Sequence, residues 1–466
     1  MLNIFSFILI FIVGYILSKK NSLKSKFKDF FILEIIFSVF RINVGYFLKI
    51  GDFEIQNDDL LLAILFAMSI VVFGSSISKK IKIRQYVVIY TIIIILGMLN
   101  LYLNPSDEGI IAFNTGSWDR YMRGVTNLTT PVFSMQSILM FIRVVIFVAI
   151  MLATKDLFNR EDFIEMGKRI GFFSKLLLIY GITEFLLSYV LKIDTTNILK
   201  LFFGRGVATS NDFGRLKGLS REPSYYSHAL YNAIIILYAL SKIDYENKNI
   251  FKKYKVWIII AFFLGLISSS FAFVLVTVTL LIFFYVVSNI ENRKFVFYLK
   301  PQAGLISILG LLILMIILPF VDLTDFTYYE RILESLNQFS KGVNRTYKLG
   351  SDYSSEAVRL ISGIETFKAT LSRPLFGLGI GTAYSVSGII SILSNIGFLG
   401  LFIWYRLIST EFYKTKKKIL ILILLTPIVF TGDMYSLYDT SYLLLIPLIA
   451  ITTETLYMKH QLKKRD

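Results

Sequence analysis

Between Asn211 and Asn232 the chain reads NDFGRLKGLSREPSYYSHALYN, a polar passage holding Arg215, Lys217, Arg221, Glu222 and His228, one of only two histidines. Arginine holds anions through paired, charge-assisted hydrogen bonds, and a carboxylate or an imidazole can take a proton from a hydroxyl. Pro223 suits the first turn of a helix, where its missing N–H costs nothing. The pattern therefore predicts a helix from Ser224 to about Leu240, with Glu222 near its cap. On that helix Arg221, Ser224, Tyr225, His228 and Asn232 fall at i, i+3, i+4, i+7 and i+11, one polar stripe on an apolar cylinder. In lipid such a stripe must face protein or water, so it is expected to line a cavity opening at one membrane surface. Arg221, Glu222 and His228 are the catalytic candidates, with Arg215 and Tyr225 beside them for binding. Two plainer roles stand next to these: Glu222 as a charge at a helix start that neutralises Arg221, and His228 as an interhelical hydrogen-bonding group.

A second group lies further on. Asp352 to Leu371 reads as a helix, with Ser354 or Ser355 to cap it and Arg373-Pro374 to stop it. Leu360, Ile361, Ile364, Phe367 and Leu371 make one apolar face, suited to lying on a membrane surface or roofing a cavity. The opposite face, Arg359, Ser362, Gly363, Thr366 and Thr370, sets one cation among small residues that let a ligand approach. Then comes RPLFGLGIGTAYS, in which Gly377, Gly379 and Gly381 alternate. Gly377 and Gly379 are candidates for close approach to phosphate, and a re-entry turn explains them equally well.

The elements that position these residues follow from composition. Of 466 residues, 55% are hydrophobic and 17% charged, with a mean hydropathy of +0.66. Apolar runs long enough to span a bilayer recur along the chain, separated by short basic loops. The fold class is all-α: a polytopic integral membrane protein with about 12–13 transmembrane helices and large outer loops, one containing the amphipathic helix. The net charge of +17 lies largely in seven basic segments, 19–28, 79–84, 155–169, 242–255, 293–300, 406–418 and 459–465. It reads as an orientation signal rather than a nucleic-acid footprint. Placing all seven in the cytoplasm requires an even number of crossings between neighbours. Spans are then expected near 2–18, 29–48, 59–78, 86–103, 137–154, 170–191, 224–241, two within 256–289, 302–321, 386–407, 419–432 and 440–457. The first of these reads as a retained span and not a cleaved leader. The whole chain, 1–466, is one membrane domain, whose outer loops include 104–136, 192–223 and 322–385. In 192–223 cations outnumber acids on the face where cations are disfavoured, which points to an anionic ligand, or to lipid headgroups. With no cysteine, disulfides and thiolate chemistry are excluded. Among charges within spans, Arg143 and Glu184 lie at similar depth and are expected to pair, and Glu34 with Arg41 share a helix face.

Taken together, the many spans, the loop with Arg215, Gly218 and Arg221-Glu222-Pro223-Ser224, and the later loop with Arg359 followed by Arg373-Pro374-Leu375-Phe376-Gly377-Leu378-Gly379 resemble the Wzy-type O-antigen and capsular polysaccharide polymerases. These belong to the superfamily that also contains the O-antigen ligases. The likeness in architecture covers nearly the whole chain, and the motifs cover the two loops. It implies a glycosyltransferase at the outer face of the bacterial cytoplasmic membrane, with no cofactor or essential metal. Such an enzyme moves a glycan from undecaprenyl pyrophosphate to the next lipid-linked oligosaccharide repeat unit. Its implied partners are these lipid-linked substrates, membrane lipids, a Wzz-like chain-length regulator and a Wzx-like flippase. In that reaction Arg215, Arg221 and Arg359 would stabilise the developing pyrophosphate charge, and Glu222 or His228 would activate the acceptor hydroxyl. The ligases commonly carry a His-Asn pair after the Gly-x-Gly turn. Here the region reads SVSGIISILSNIGFLG, without histidine, so polymerase is the better fit and ligase the alternative. A flippase or transporter is the rival from another class, although no internal repeat is found.

Overall fold

The computed structural model describes residues 4–40, 46–50, 53–76, 85–104, 131–193, 216–220, 223–243, 248–268, 363–364, 366–382, 388–408 and 438–462, with the single positions 273, 277 and 280. Helices α1 (Ile4–Ser18) and α2 (Leu23–Phe40) are followed by a hairpin of β1 (Tyr46–Ile50) and β2 (Phe53–Gln56). Then come α3 (Asn57–Ser76), α4 (Gln85–Leu103), α5 (Met135–Leu157), α6 (Arg160–Phe185), α7 (Pro223–Ile243), α8 (Lys248–Ile267), α9 (Gly388–Arg406) and α10 (Tyr442–Leu462). Among the described residues, four helices are long and apolar enough to cross a bilayer, α4, α5, α6 and α9, and the apolar parts of α1, α8 and α10 are shorter. The chain is an all-α polytopic membrane protein. Its outward faces are apolar in the way lipid requires, with Phe11, Ile92, Ile142 and Phe172 exposed on α1, α4, α5 and α6.

One expected span is corrected. The second was placed at 29–48, but α2 starts at Leu23 and ends at Phe40, and Tyr46–Ile50 is a strand. Ile50 pairs with Phe53 in antiparallel register, so only Gly51 and Asp52 separate the strands. A glycine-led dipeptide between two short runs rich in aromatic and branched residues is a hairpin signal, and it overrides apolar content. The expected spans at 302–321 and 419–432, and the hairpin within 256–289 beyond Ser268, lie outside the described residues.

Helices in lipid gain little from apolar burial against one another and associate through close packing. α6 supplies the small face for this. A Cβ on Gly167 would meet Leu448 of α10 at 2.7 Å, and one on Gly171 would meet Leu240 of α7 at 2.5 Å. Gly181, near the other end of α6, leaves room for Tyr226. The result is that α7 packs against α2, α6, α8 and α10 and is the enclosed helix of the bundle, with Tyr226, Leu230, Ala233, Ile234 and Leu237 inaccessible.

Charges pin the ends. α6 begins with a reciprocal cap, in which Asn159 Oδ1 accepts from Asp162 N at 2.9 Å and Asp162 Oδ2 accepts from Asn159 N at 3.1 Å. The same Asp162 bridges Lys24 at 2.6 Å and Lys28 at 2.9 Å, while Arg169 reaches Glu165 at 2.6 Å. Arg160 donates to Thr455 at 3.0 Å, and Arg406 donates to the Tyr86 hydroxyl at 3.2 Å. The basic segments 19–28 and 155–169 thus meet directly. Arg160 also ties 155–169 to the chain just before 459–465, and Arg406 ties 406–418 to the chain just after 79–84.

Candidate active site

At the start of α7, Tyr225 is half-buried, and Ser227, His228 and Asn232 are buried. Of the polar stripe, Arg221 lies outside the described residues. Asn232 Nδ2 donates to the Val39 carbonyl of α2 at 2.8 Å, because α2 covers this side of α7 and its last carbonyls have no partner within their own helix. His228 is 5% exposed.

The chain reaches α7 through a buried turn. Leu216 and Ser220 are fully buried, Lys217 is nearly so, and Ser220 N donates to Lys217 O at 3.0 Å. Glu184, in the last turn of α6, accepts the Lys217 N–H at 3.1 Å through Oε1 and the Gly218 N–H at 2.8 Å through Oε2. Gly218 takes a φ of +58°, and a Cβ there would run into the Tyr226 ring, so glycine is needed on both counts. The Ser220 hydroxyl points to the carbonyl of Phe40, the last residue of α2, at 3.5 Å.

The expected pairing of Arg143 with Glu184 is therefore corrected. Arg143 Nη2 bridges Asp59 Oδ1 at 2.9 Å, and its Nη1 donates to the Tyr438 hydroxyl at 3.3 Å. Depth alone suggested the pair, but α5 packs on α3 and not on the end of α6. Around this ion pair gather further acids. Glu34 accepts from the Thr440 hydroxyl at 3.0 Å, and Asp439 accepts from Ser38 Oγ and Ser441 N at 2.8 and 2.9 Å. Loss of solvent, then the neighbouring charge of Asp59, push Asp58 up to about 6, with Arg143 opposing. The described residues include no group of three or more His, Cys, Asp or Glu placed to hold a metal ion. Glu34 was expected to share a network with Arg41, which lies outside the described residues; among the described residues Glu34 accepts from Thr440.

The glycine-rich stretch packs elsewhere, against α4 and α9. α9 is broken at Gly397, whose φ of +69° and ψ of −178° leave the helix. The turn from Arg373 to Thr382 enters that break. Phe398 N donates to Pro374 O at 2.8 Å, Leu399 N to Leu375 O at 3.3 Å, and Leu378 N to Ser394 O at 2.6 Å. Asn395 secures the far side, accepting the Gly381 N–H at 2.7 Å. Gly377 and Gly379 have φ of +72° and +97°. A Cβ on Gly377 would lie 2.5 Å from Ser394 O, and one on Gly379 would lie 2.9 Å from Leu101 of α4. Both glycines are buried, and the N–H of Gly377 is already given to Arg373 O at 2.9 Å. Close backbone approach accounts for the alternating glycines without a bound anion.

Of the preceding helix, Gly363–Ile364 and Thr366–Leu371 are described. Thr366, Ala369 and Thr370 are buried, whereas Phe367 and Leu371 are exposed. The small-residue face packs inward here and the apolar face looks out. Among the candidate residues, then, the structure places Tyr225, His228, Gly377 and Gly379, and Arg215, Arg221, Glu222 and Arg359 lie outside the described residues. Sequence reasoning missed the role of Glu184 as an acceptor of two backbone N–H groups, the break at Gly397, and the Asp59–Arg143–Tyr438 group. It gave Arg373 only a helix-stopping role and a place in the motif, whereas its Nη1 is buried without a hydrogen-bond partner among the described residues. Only the glycine inside the apolar run SNIGFLG was a visible signal for the break. No family model, curated protein or solved structure matches the chain.

Proposed function

We propose that the chain is a membrane glycosyltransferase of the Wzy polymerase type, transferring a glycan from undecaprenyl pyrophosphate to a lipid-linked repeat unit at the outer face of a bacterial cytoplasmic membrane. The observation that carries this reading is the buried Leu216–Ser220 turn, held by Glu184 and Phe40, two residues ahead of α7 with its buried Ser227, His228 and Asn232. A cation-rich loop with so firm a footing is what positioned stabilisation of a leaving pyrophosphate asks for. Arg215, Arg221 and Arg359 supply the charge in this scheme, since a guanidinium holds two phosphate oxygens together and stays protonated. Glu222 or His228 takes the proton from the acceptor hydroxyl. The sugar–pyrophosphate bond breaks as the acceptor oxygen bonds to the anomeric carbon, and the polyprenyl pyrophosphate leaves.

Transport is the second reading, and the broken α9 favours it, because transporters bind solutes at such breaks. Here, however, the freed N–H groups of Phe398 and Leu399 are already satisfied by Pro374 and Leu375. The break is filled by the chain itself.

The test is polymerisation of lipid-linked repeat units by the purified protein. Glu222→Gln keeps the shape of the cap and removes its basicity, so turnover drops by about 10²-fold if Glu222 is the base and hardly changes if it only caps. His228→Gln is the matched variant. Wild-type protein that leaves repeat units unjoined, or Arg221→Ala protein that joins them at the wild-type rate, overturns the proposal.

A further inference from the structure

We infer that Arg373, in the glycine-rich turn, is the anchor of a bound phospholipid: its guanidinium holds the headgroup phosphodiester, and Leu371, Leu375 and Phe398 lie against the acyl chains. This stands independently of the transferase reading above.

The backbone that carries Arg373 is fixed on both sides. Arg373 N donates to Thr370 O at 3.0 Å, and its own carbonyl accepts from Gly377 N at 2.9 Å. The next two residues, Pro374 and Leu375, are tied to the break in α9 through Phe398 N and Leu399 N at 2.8 and 3.3 Å. The side chain has no such partner. Nη1 is shielded from solvent, and among the described residues no acceptor meets it. A guanidinium keeps its proton, so this leaves a cation partly stripped of water with a donor unanswered. An anion from outside the chain answers it.

Position selects the anion. α4 and α9 pack together, and Arg406 at the end of α9 reaches Tyr86 at the start of α4, beside the basic segments. The turn meets the other end of α4: a Cβ on Gly97 would lie 3.2 Å from Phe376 O, and one on Gly379 2.9 Å from Leu101. From Tyr86 to Leu101 is roughly 22 Å of helix, which puts the turn near the membrane boundary opposite the basic end, at the level of lipid headgroups. Its surroundings are apolar and open, with Leu371, Leu375 and Phe398 exposed by 52%, 61% and 44%. An anion that arrives on hydrocarbon chains satisfies these side chains and the guanidinium together. Arg373 is also the only charged residue from 373 to 382. One guanidinium matches the single charge of a phosphodiester, whereas a pyrophosphate asks for more cations than this turn contains.

The experiment is native mass spectrometry of the full-length protein, delipidated in detergent and titrated with phosphatidylglycerol. Diacylglycerol, inorganic phosphate and undecaprenyl pyrophosphate are the competing probes. Expected is one saturable phosphatidylglycerol, bound about tenfold or more weakly by Arg373→Gln protein and displaced by neither diacylglycerol nor inorganic phosphate at equal concentration. Equal binding by Arg373→Gln protein overturns the site. Displacement by inorganic phosphate overturns a lipid as the occupant, and tighter binding of undecaprenyl pyrophosphate, lost in the same variant, overturns a phospholipid. If Arg373→Gln yields no folded protein, Leu375→Gln removes a chain contact at an exposed position and leaves the guanidinium. Phosphatidylglycerol should then bind roughly threefold more weakly, and unchanged affinity overturns the proposal.

Discussion

Substituting Gly377 by alanine separates two accounts of the glycine-rich turn. At a φ of +72° a Cβ costs about 1–2 kcal/mol in any environment. In this one it would also lie 2.5 Å from Ser394 O, 2.7 Å from Gly397 N and 2.9 Å from Leu393 O. All three are backbone atoms of the broken α9, and Ser394 O already accepts from Leu378 N at 2.6 Å, so the neighbours cannot retreat without opening the break. Overpacking of this kind adds about 1–3 kcal/mol. The sum, about 2–5 kcal/mol, is a large share of the stability of a typical domain. Gly379→Ala should cost less, because the nearest atoms at 2.9 and 3.1 Å belong to the Leu101 side chain, which can shift. Gly14→Ala on α1 is the control, with nothing within 4 Å of the new methyl group. Thermal unfolding in detergent, followed by intrinsic fluorescence, should rank the variants Gly14→Ala, Gly379→Ala, Gly377→Ala in order of increasing loss. A Gly377→Ala protein that melts with the wild type yet no longer binds undecaprenyl pyrophosphate would refute the packing account and return the turn to phosphate recognition.

Two more outcomes follow from the ion pairs. Arg143→Met removes the cation that Asp59 meets across a half-buried pair and should destabilise by about 1–3 kcal/mol. The double variant Arg143→Met with Asp59→Asn should recover most of that in the same melting assay, and a double variant as unstable as the single would remove the pair from the account. Lys28 and Asp162, with side chains 15% and 12% exposed, should show a coupling of about 1–3 kcal/mol in a double-mutant cycle of alanine replacements. Because the pair is largely shielded, the coupling should persist in 0.5 M salt, and a value that disappears there would mark it as a surface contact.

What the sequence made legible was what local spacing controls. The helix beginning at Pro223, its polar residues, and the helices α4, α5 and α6 follow from hydrophobic runs and punctuation that a few neighbouring residues supply. Partner choice was illegible. Arg143 had Glu184 and Asp59 as acids within plausible reach, and only the packing of α5 against α3 selects Asp59. The hairpin at Tyr46–Gln56 was hidden for a different reason: the first strand, Tyr46–Ile50, is apolar enough to continue the run before it, and that run was weighed ahead of the Gly51-Asp52 dipeptide in the sequence. Gly397 was visible as a glycine, but not as a break, because the turn that fills the break lies some twenty residues earlier in sequence and comes back to it only in three dimensions.

The turn that enters α9 and the turn before α7 answer one physical demand. Backbone donors inside a membrane bundle must find acceptors, since no water is there to take them. At α9 the donors are the freed N–H groups of Phe398 and Leu399, and carbonyls of the Arg373–Thr382 turn accept them. Before α7 the donors are those of Lys217 and Gly218, and a side-chain carboxylate accepts them. The difference bears on how each can be tested: carbonyl acceptors remain whatever side chain is changed, whereas Glu184 is an acceptor that a single substitution removes.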